Sequence, residues 1–239
     1  MPIYLPSGAE ATPISPTPDA AWEDTSILAR VKCSTSKRSL AMTTVSFTDS
    51  NWSNKDILFR QWINELVPGR LILGGYYFTG QCRVYQPDLM NGMFLTFGIR
   101  ILAGNGTDVR KTLVPVTSDN LLAPSDVLTN RSWGVTAASG NYTTQAGDCL
   151  VIEGGMGGNP DEIGPPVGYP NHSSSMRFGD ASETDLPLWD NSQSADYCPY
   201  IIRLNQEYEE DILTFVSAGC EWKRHCENLI VEPPVAVAY

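Results

Sequence analysis

The chain has 239 residues, 42% of them hydrophobic and 18% charged, and a formal net charge of −11. This composition excludes a disordered or fibrous chain, no apolar run approaches a membrane span, and the length suits a single large β domain. Residues 1–150 carry 12 basic and 12 acidic side chains and residues 151–239 carry 4 and 15, so the acidic surplus sits in the last third and argues against nucleic acid as a partner.

The first stretch, "MPIYLPSGAEATPISPTPDAAW", lacks the basic and continuous apolar regions of a secretory signal. From Ser7 to Asp19 it is rich in Pro, Ser, Thr and Ala, which predicts an extended arm over residues 1–21, without a core of its own and either disordered or laid across a neighbour. Strand-like runs follow at "SLAMTTVSF" from Ser39, "DILFRQWI" from Asp56 and "RLILGGYYFTGQCRVY" from Arg70. In "MFLTFGIRIL" the alternation is strict: Met93, Leu95, Phe97, Ile99 and Ile101 share one face, and Phe94, Thr96, Arg100 and Leu102 the other. Asn105-Gly106 then supplies a tight turn into "VRKTLVPV", which predicts a hairpin. A short helix is expected at "SDVLTN" from Ser125, where serine caps a turn or two.

Further strands are expected at "DCLVIEG" from Asp148, "SMRFG" from Ser175, "YIIRL" from Tyr200 and "ILTFV" from Ile212. About nine strands separated by turn-forming residues predict a two-sheet sandwich over residues 22–218, followed by a C-terminal extension, residues 219–239, that ends in a second arm. Between "CLVIEG" and "SMRFG", "GMGGNPDEIGPPVGYPNHSS" is too rich in Gly and Pro for regular structure and predicts a long loop holding His172.

Candidate chemistry is sparse. His172 and His225 are the two histidines, with no nucleophile elbow beside either, so no catalytic set is assigned and the chain is read as non-enzymatic. Most of the six cysteines, Cys33, Cys82, Cys149, Cys198, Cys220 and Cys226, are expected to be small buried residues; "CEWKRHC" at Cys220 would admit a local disulfide better than zinc. Asp180, Glu183, Asp185 and Asp190 crowd one loop, where carboxylate oxygens make calcium the candidate cofactor; a glycosidase pair is the weaker reading. Trp133, Tyr169, Trp189 and Tyr197 are candidate sugar-stacking side chains, which makes a carbohydrate-binding module or adhesin for host glycans the alternative function. Sequons at Asn51, Asn105, Asn130, Asn141 and Asn171 are read as chance matches.

The order of "AWEDTSILARVKCSTSKRSLAMTTVSFTDSNWSNKDILFRQWI", "LTNRSWG", "QAGDCLVIEGG", "SMRFGDASETDLP" and "PYIIRL" resembles that of virion structural proteins of tailed bacteriophages and their metagenomic relatives, over roughly Trp22 to Leu204. The resemblance implies an antiparallel jelly-roll sandwich, displayed on the particle as a decoration, collar, tail or fibre component. Its partners would be other copies of itself and other virion proteins, with no nucleic acid and no membrane, after synthesis in the host cytoplasm. Gly147, Asp148, Phe178, Gly179, Asp185, Leu186 and Pro187 are the matching positions, implied to be turn and strand-end residues. The long Gly/Pro loop and Cys198-Pro199-Tyr200 depart from the pattern, and the Cys220 to Cys226 segment lies outside it.

Overall fold

The computed structural model describes residues 2–8, 10–38, 40–49, 56–72, 75–85, 93–122, 127–135, 141–158, 172–181, 184–188 and 197–203. Within them the secondary structure is all β: β1 (Pro2–Tyr4), β2 (Ala29–Lys32), β3 (Thr43–Asp49), β4 (Ile57–Glu65), β5 (Leu71–Ile72), β6 (Tyr76–Tyr85), β7 (Met93–Leu102), β8 (Val109–Leu122), β9 (Thr129–Val135), β10 (Tyr142–Thr143), β11 (Cys149–Gly158), β12 (His172–Phe178) and β13 (Tyr200–Arg203).

Hydrogen bonding sorts the long strands into two sheets. One runs β3-β12-β6-β9 and the other β4-β11-β7-β8, every neighbour antiparallel. Numbered 1 to 8 along the chain, these strands stand in the orders 1-8-3-6 and 2-7-4-5, the doubly nested order of a jelly roll. Two additions widen the sheets. β2 lies parallel to β4, and β13 shares an edge of β6 with β12, carrying β1 outside it. The small pair β5–β10 closes one end.

The core forms where alternating apolar faces meet. Met93, Leu95, Phe97, Ile99 and Ile101, the face read from the sequence, are all buried in it. Rings from both sheets interlock there. Phe78 of β6 stacks on Phe97 of β7 at 5.2 Å and on Trp133 of β9 at 5.3 Å, while Trp62 of β4 meets Phe178 of β12 edge-on at 5.5 Å. Ring pairs of this geometry add to the area they bury. At one edge the sheets are tied by an ion pair, Arg131 on β9 with Asp119 on β8, at 3.7 Å.

Several expectations need correction. The helix at "SDVLTN" is not formed where the structure describes it: Thr129 and Asn130 open β9, where Asn130 is buried and accepts a hydrogen bond from Gln81 Nε2 at 2.8 Å. Pairing with β6 overrides the weak cap signal. The run from Arg70 is two strands, broken before β6 where Gly75 takes φ 105°. Gly155, Gly157 and Gly158, expected in the loop, continue β11 beyond the expected strand end at Gly154. Glycine serves close packing along this strand: a Cβ on Gly154 would meet Phe97 and Trp62 ring atoms at 2.6 and 2.8 Å, and one on Gly155 would overlap the Ile57 carbonyl. His172, expected in the loop, is the first residue of β12, opposite Asp49. β3 starts later than the run at Ser39 suggests, because the amides of Arg38 and Leu40 bind the Asp180 carboxylate instead of a strand. The hairpin stands as read, with Gly106 at φ 77° and Asn105 Oδ1 accepting from the amides of Thr107 and Asp108. The strand at Ile212, the Cys220 to Cys226 run and the C-terminal arm lie outside the described residues.

Candidate functional site

The N-terminal residues have no core of their own and join that of the sandwich. Ile3 and Leu5 enter the main one, β1 pairs with β13, and Trp62 Nε1 donates to Pro6 O at 3.0 Å. Beyond Pro6 the chain runs past β2, where Glu10 pairs with Lys32 and Arg38, and then crosses the outer face of the β4-β11-β7-β8 sheet as a strap, Ile14 to Trp22. The expectation of an arm that is free or laid on a neighbour is thereby changed, since within one chain it dresses its own sandwich.

The strap lies where it does because of what alternation puts beneath it. On β11, Leu150 and Ile152 face the core, so Cys149, Val151 and Glu153 face outward. On β7 the same logic turns Arg100 and Leu102 outward. Ile14 packs on Ile63, Leu102, Cys149 and Val151, covering an apolar patch that would otherwise face water. Beside that patch the Glu153 side chain is 0% exposed and its Oε1 lies 2.7 Å from Arg100 Nη2. A buried ion pair is tolerated when its remaining lone pairs and protons are satisfied. Here the strap does much of that. Asp19 N donates to Glu153 Oε1 at 3.1 Å, Trp22 Nε1 to Oε2 at 3.0 Å, and Arg100 Nη2 donates to Thr17 O at 2.8 Å, while Gln61 Nε2 of β4 donates to Oε1 at 2.8 Å. Arg30 Nη2 donates to Pro16 O at 3.0 Å, and Thr17 N to Gly106 O at 2.9 Å, so the hairpin turn also seats the strap.

The strap ends at a carboxylate pair. The amides of Glu23 and Asp24 donate to Asp56 O at 2.9 and 3.1 Å, and burial, with the Glu23 charge nearby, pushes the Asp56 carboxyl up to about 6. An acid raised above its unfolded value near 4 binds more protons in the folded state, so its presence weakens folding as pH rises from about 4 to about 6. Asp56→Asn is therefore expected to raise thermal stability at pH 8, by on the order of 1 kcal/mol after solvent screening, and to give little gain at pH 4. Melting curves of both proteins at the two pH values check this.

The acidic loop is engaged differently from its sequence reading. Asp180 is buried, and its carboxylate accepts the amides of Arg38 at 2.5 Å and Leu40 at 2.7 Å. Asp185 pairs with Lys37 Nζ at 2.6 Å and accepts from the Tyr4 hydroxyl at 3.1 Å, and burial, reinforced by Asp185, pushes that phenol well above its ordinary range. These two acids tie Lys37, Arg38, Leu40 and β1 to the residues after β12. Glu183 and Asp190, the other candidate calcium ligands, lie outside the described residues, and among the described residues no three His, Cys, Asp or Glu side chains converge as a metal site would need. Asp148 acts locally: it accepts from Tyr142 Oη and Gln145 N, both at 2.7 Å, fixing the turn at Gly147 that leads into β11.

Of the candidate stacking residues, Trp133 packs among Phe78 and Phe97, and Tyr197 lies partly buried against the cluster of Tyr4, Leu186, Cys198 and Tyr200. Tyr169 and Trp189 lie outside the described residues. Cys33, Cys82, Cys149 and Cys198 are buried free thiols, as read, and burial pushes them up to about 12, 12, 11 and 12. They stay protonated and unreactive at neutral pH. The sequence reading missed Glu153. Its signal was a charge inside "CLVIEG", matched by Arg100 inside "FGIRIL", in strands otherwise apolar.

No protein-family model matches the chain, and no curated protein matches it. Among solved structures it is similar to the VP2 subviral particle of infectious bursal disease virus, at 9% identity and a TM-score of 0.23, over 66% of this chain and 36% of that one. It is also similar to the structure of the Gx strain of that virus, at 14% identity and a TM-score of 0.22, over 66% of this chain and 35% of that one. The chain thus spans about a third of the length of these viral chains, at scores too low to establish a common topology.

Proposed function

We propose that this protein is a non-enzymatic virion structural protein that assembles with further copies of itself and with other virion proteins. The observation that carries the reading is the jelly-roll strand order combined with the use made of its buried polar groups. Jelly rolls recur in viral capsid and lectin domains. Here Glu153, Asp180 and the Arg131–Asp119 pair each hold one chain segment against another, which suits a building block better than a reaction centre. The sequence resemblance supports the finer reading, a bacteriophage particle with this chain as a decoration, collar, tail or fibre component made in the host cytoplasm. Packing of Trp133 and Tyr197 within the fold gives the sugar-binding alternative no added support. Mass spectrometry of purified particles from the source, with sedimentation of the isolated protein, tests the proposal. Chain-derived peptides in the particles and concentration-dependent oligomers are expected; a protein absent from particles and monomeric at high concentration would overturn it.

A further inference from the structure

We infer that β3 is the edge at which two copies of this chain join, their β3 strands pairing antiparallel about a two-fold axis at Ser46 so that one sheet runs across both subunits. The inference rests on the virion reading and names a contact by which copies assemble.

The edge is open and unprotected. β3 pairs with β12 through seven consecutive residues without a bulge, and among the described residues no strand lies on its other side. Thr44, Ser46 and Thr48 are exposed, while Val45 and Phe47 pack on the core yet stay only partly buried. A row of unpaired amides and carbonyls templates pairing with another chain unless proline, lysine, a bulge, shortness or a cover blunts it. Each other margin is blunted in one of these ways. β8 holds Pro115 and repeatedly breaks register with β7, and β9 is held to β8 by Arg131 and Asp119. β2 is four residues long and includes Arg30 and Lys32, and β1 is three residues long and bridged to Ser34. β3, with the sequence TTVSFTD, has no such device.

A second copy fits because the strand is complementary to itself. Directly opposed residues of an antiparallel pair share a face, so only a register that sets odd residues against odd ones keeps apolar beside apolar. Centring on Ser46 does this over all seven residues: Val45 opposes Phe47 of the other copy, Thr44 opposes Thr48, and Ser46 opposes its own counterpart. An isologous two-fold contact requires this self-matching. Hydroxyl pairs already join β3 to β12, with Ser46 Oγ 2.8 Å from Ser175 Oγ and Thr48 Oγ1 2.5 Å from Ser173 Oγ, and the second copy extends that ladder. Charge favours the same place. Copies carrying a net charge of −11 repel one another, and β3 has one ionisable residue, Asp49, whose opposite position in this register is Thr43 and not another acid.

Single cysteines test the register, in a background with Cys220 and Cys226 changed to serine and the four other cysteines buried. Under mild oxidation Ser46→Cys should run as a covalent dimer on a denaturing gel. Thr44→Cys alone should not, and mixing it with Thr48→Cys should restore the product. In the wild-type chain, the β3 amides that point away from β12 should exchange more slowly at high than at low protein concentration. Ser46→Lys sets two like charges face to face and should raise the concentration needed for association by roughly tenfold, with an unchanged urea midpoint in dilute solution because Ser46 is exposed. Oligomers that form without these cross-links and survive Ser46→Lys overturn the pairing and leave the virion reading standing. A chain that stays monomeric at high concentration also overturns the pairing, and its presence in or absence from particles then decides the virion reading separately.

Discussion

Arg100→Met is expected to destabilise the fold by about 3–5 kcal/mol, because it leaves the Glu153 carboxylate buried beside strap donors without its cation. The side chain of Glu153 has no exposed surface and that of Arg100 only 6%, so water cannot take the place of the guanidinium without opening the strap. A urea titration should show the loss as a lower midpoint, and amide hydrogen exchange should show where it falls. Thr17, Asp19 and Trp22 amides should lose more protection than those of β6 or β12, since the strap is held largely through this cluster while the ladder between the sheets' strands is untouched. Adding Glu153→Gln to the variant should restore part of the loss, on the order of 1–3 kcal/mol, because it removes the unpaired buried charge. Its one carbonyl oxygen can still accept from Asp19 N and Gln61 Nε2, while its NH2 faces the Trp22 indole donor and limits the gain. A double variant no more stable than Arg100→Met alone would show that packing of the arginine stem, and not its charge, matters.

Trp62→Ala should cost a similar amount, about 3–5 kcal/mol, for a different reason. Trp62 is fully buried, meets Phe178 edge-on, lies 6.4 Å from the Phe97 ring, and rests against the bare Cα of Gly154. Alanine opens a cavity between the sheets that the surrounding rings cannot close. The smaller change Trp62→Phe keeps most of the ring but leaves the Pro6 carbonyl without the indole donor, and is expected to cost about 1–3 kcal/mol. Chemical denaturation of the two variants separates cavity from hydrogen bond. Equal losses would mean that the hydrogen bond to Pro6 is the dominant contribution.

Much of the sandwich was legible because its strands obey local rules. Met93 to Leu102 alternates cleanly and Asn105-Gly106 can make its turn without help, so strand, face and hairpin all followed from nearest neighbours in sequence. The errors have a common cause, in that the deciding partner was distant. Gly155 looks like a loop residue until the Ile57 backbone is placed against it. Asp180 looks like a solvated acid until Arg38 and Leu40, more than a hundred residues earlier, present their amides. The strap was the largest case: a Pro-rich stretch has no periodicity of its own to reveal that a carboxylate far downstream holds it. Glu153 and Arg100 were visible as charges in apolar strands, and two such charges facing the same way in neighbouring strands are a readable sign of a covered outer face.

The path of the N-terminal segment also fixes an order of events during biosynthesis. Residues 2–22 leave the ribosome before any of their partners, yet they are held by Arg100, by Glu153 and by β13 at Tyr200–Arg203. The earliest-made part of this domain must therefore wait for nearly the latest before it settles. Such long sequence separations slow folding and leave apolar surface uncovered in the meantime. A nascent chain paused after β11 would have the sheet face beneath its strap complete and the strap able to dock, while β1 would still lack the strand it pairs with.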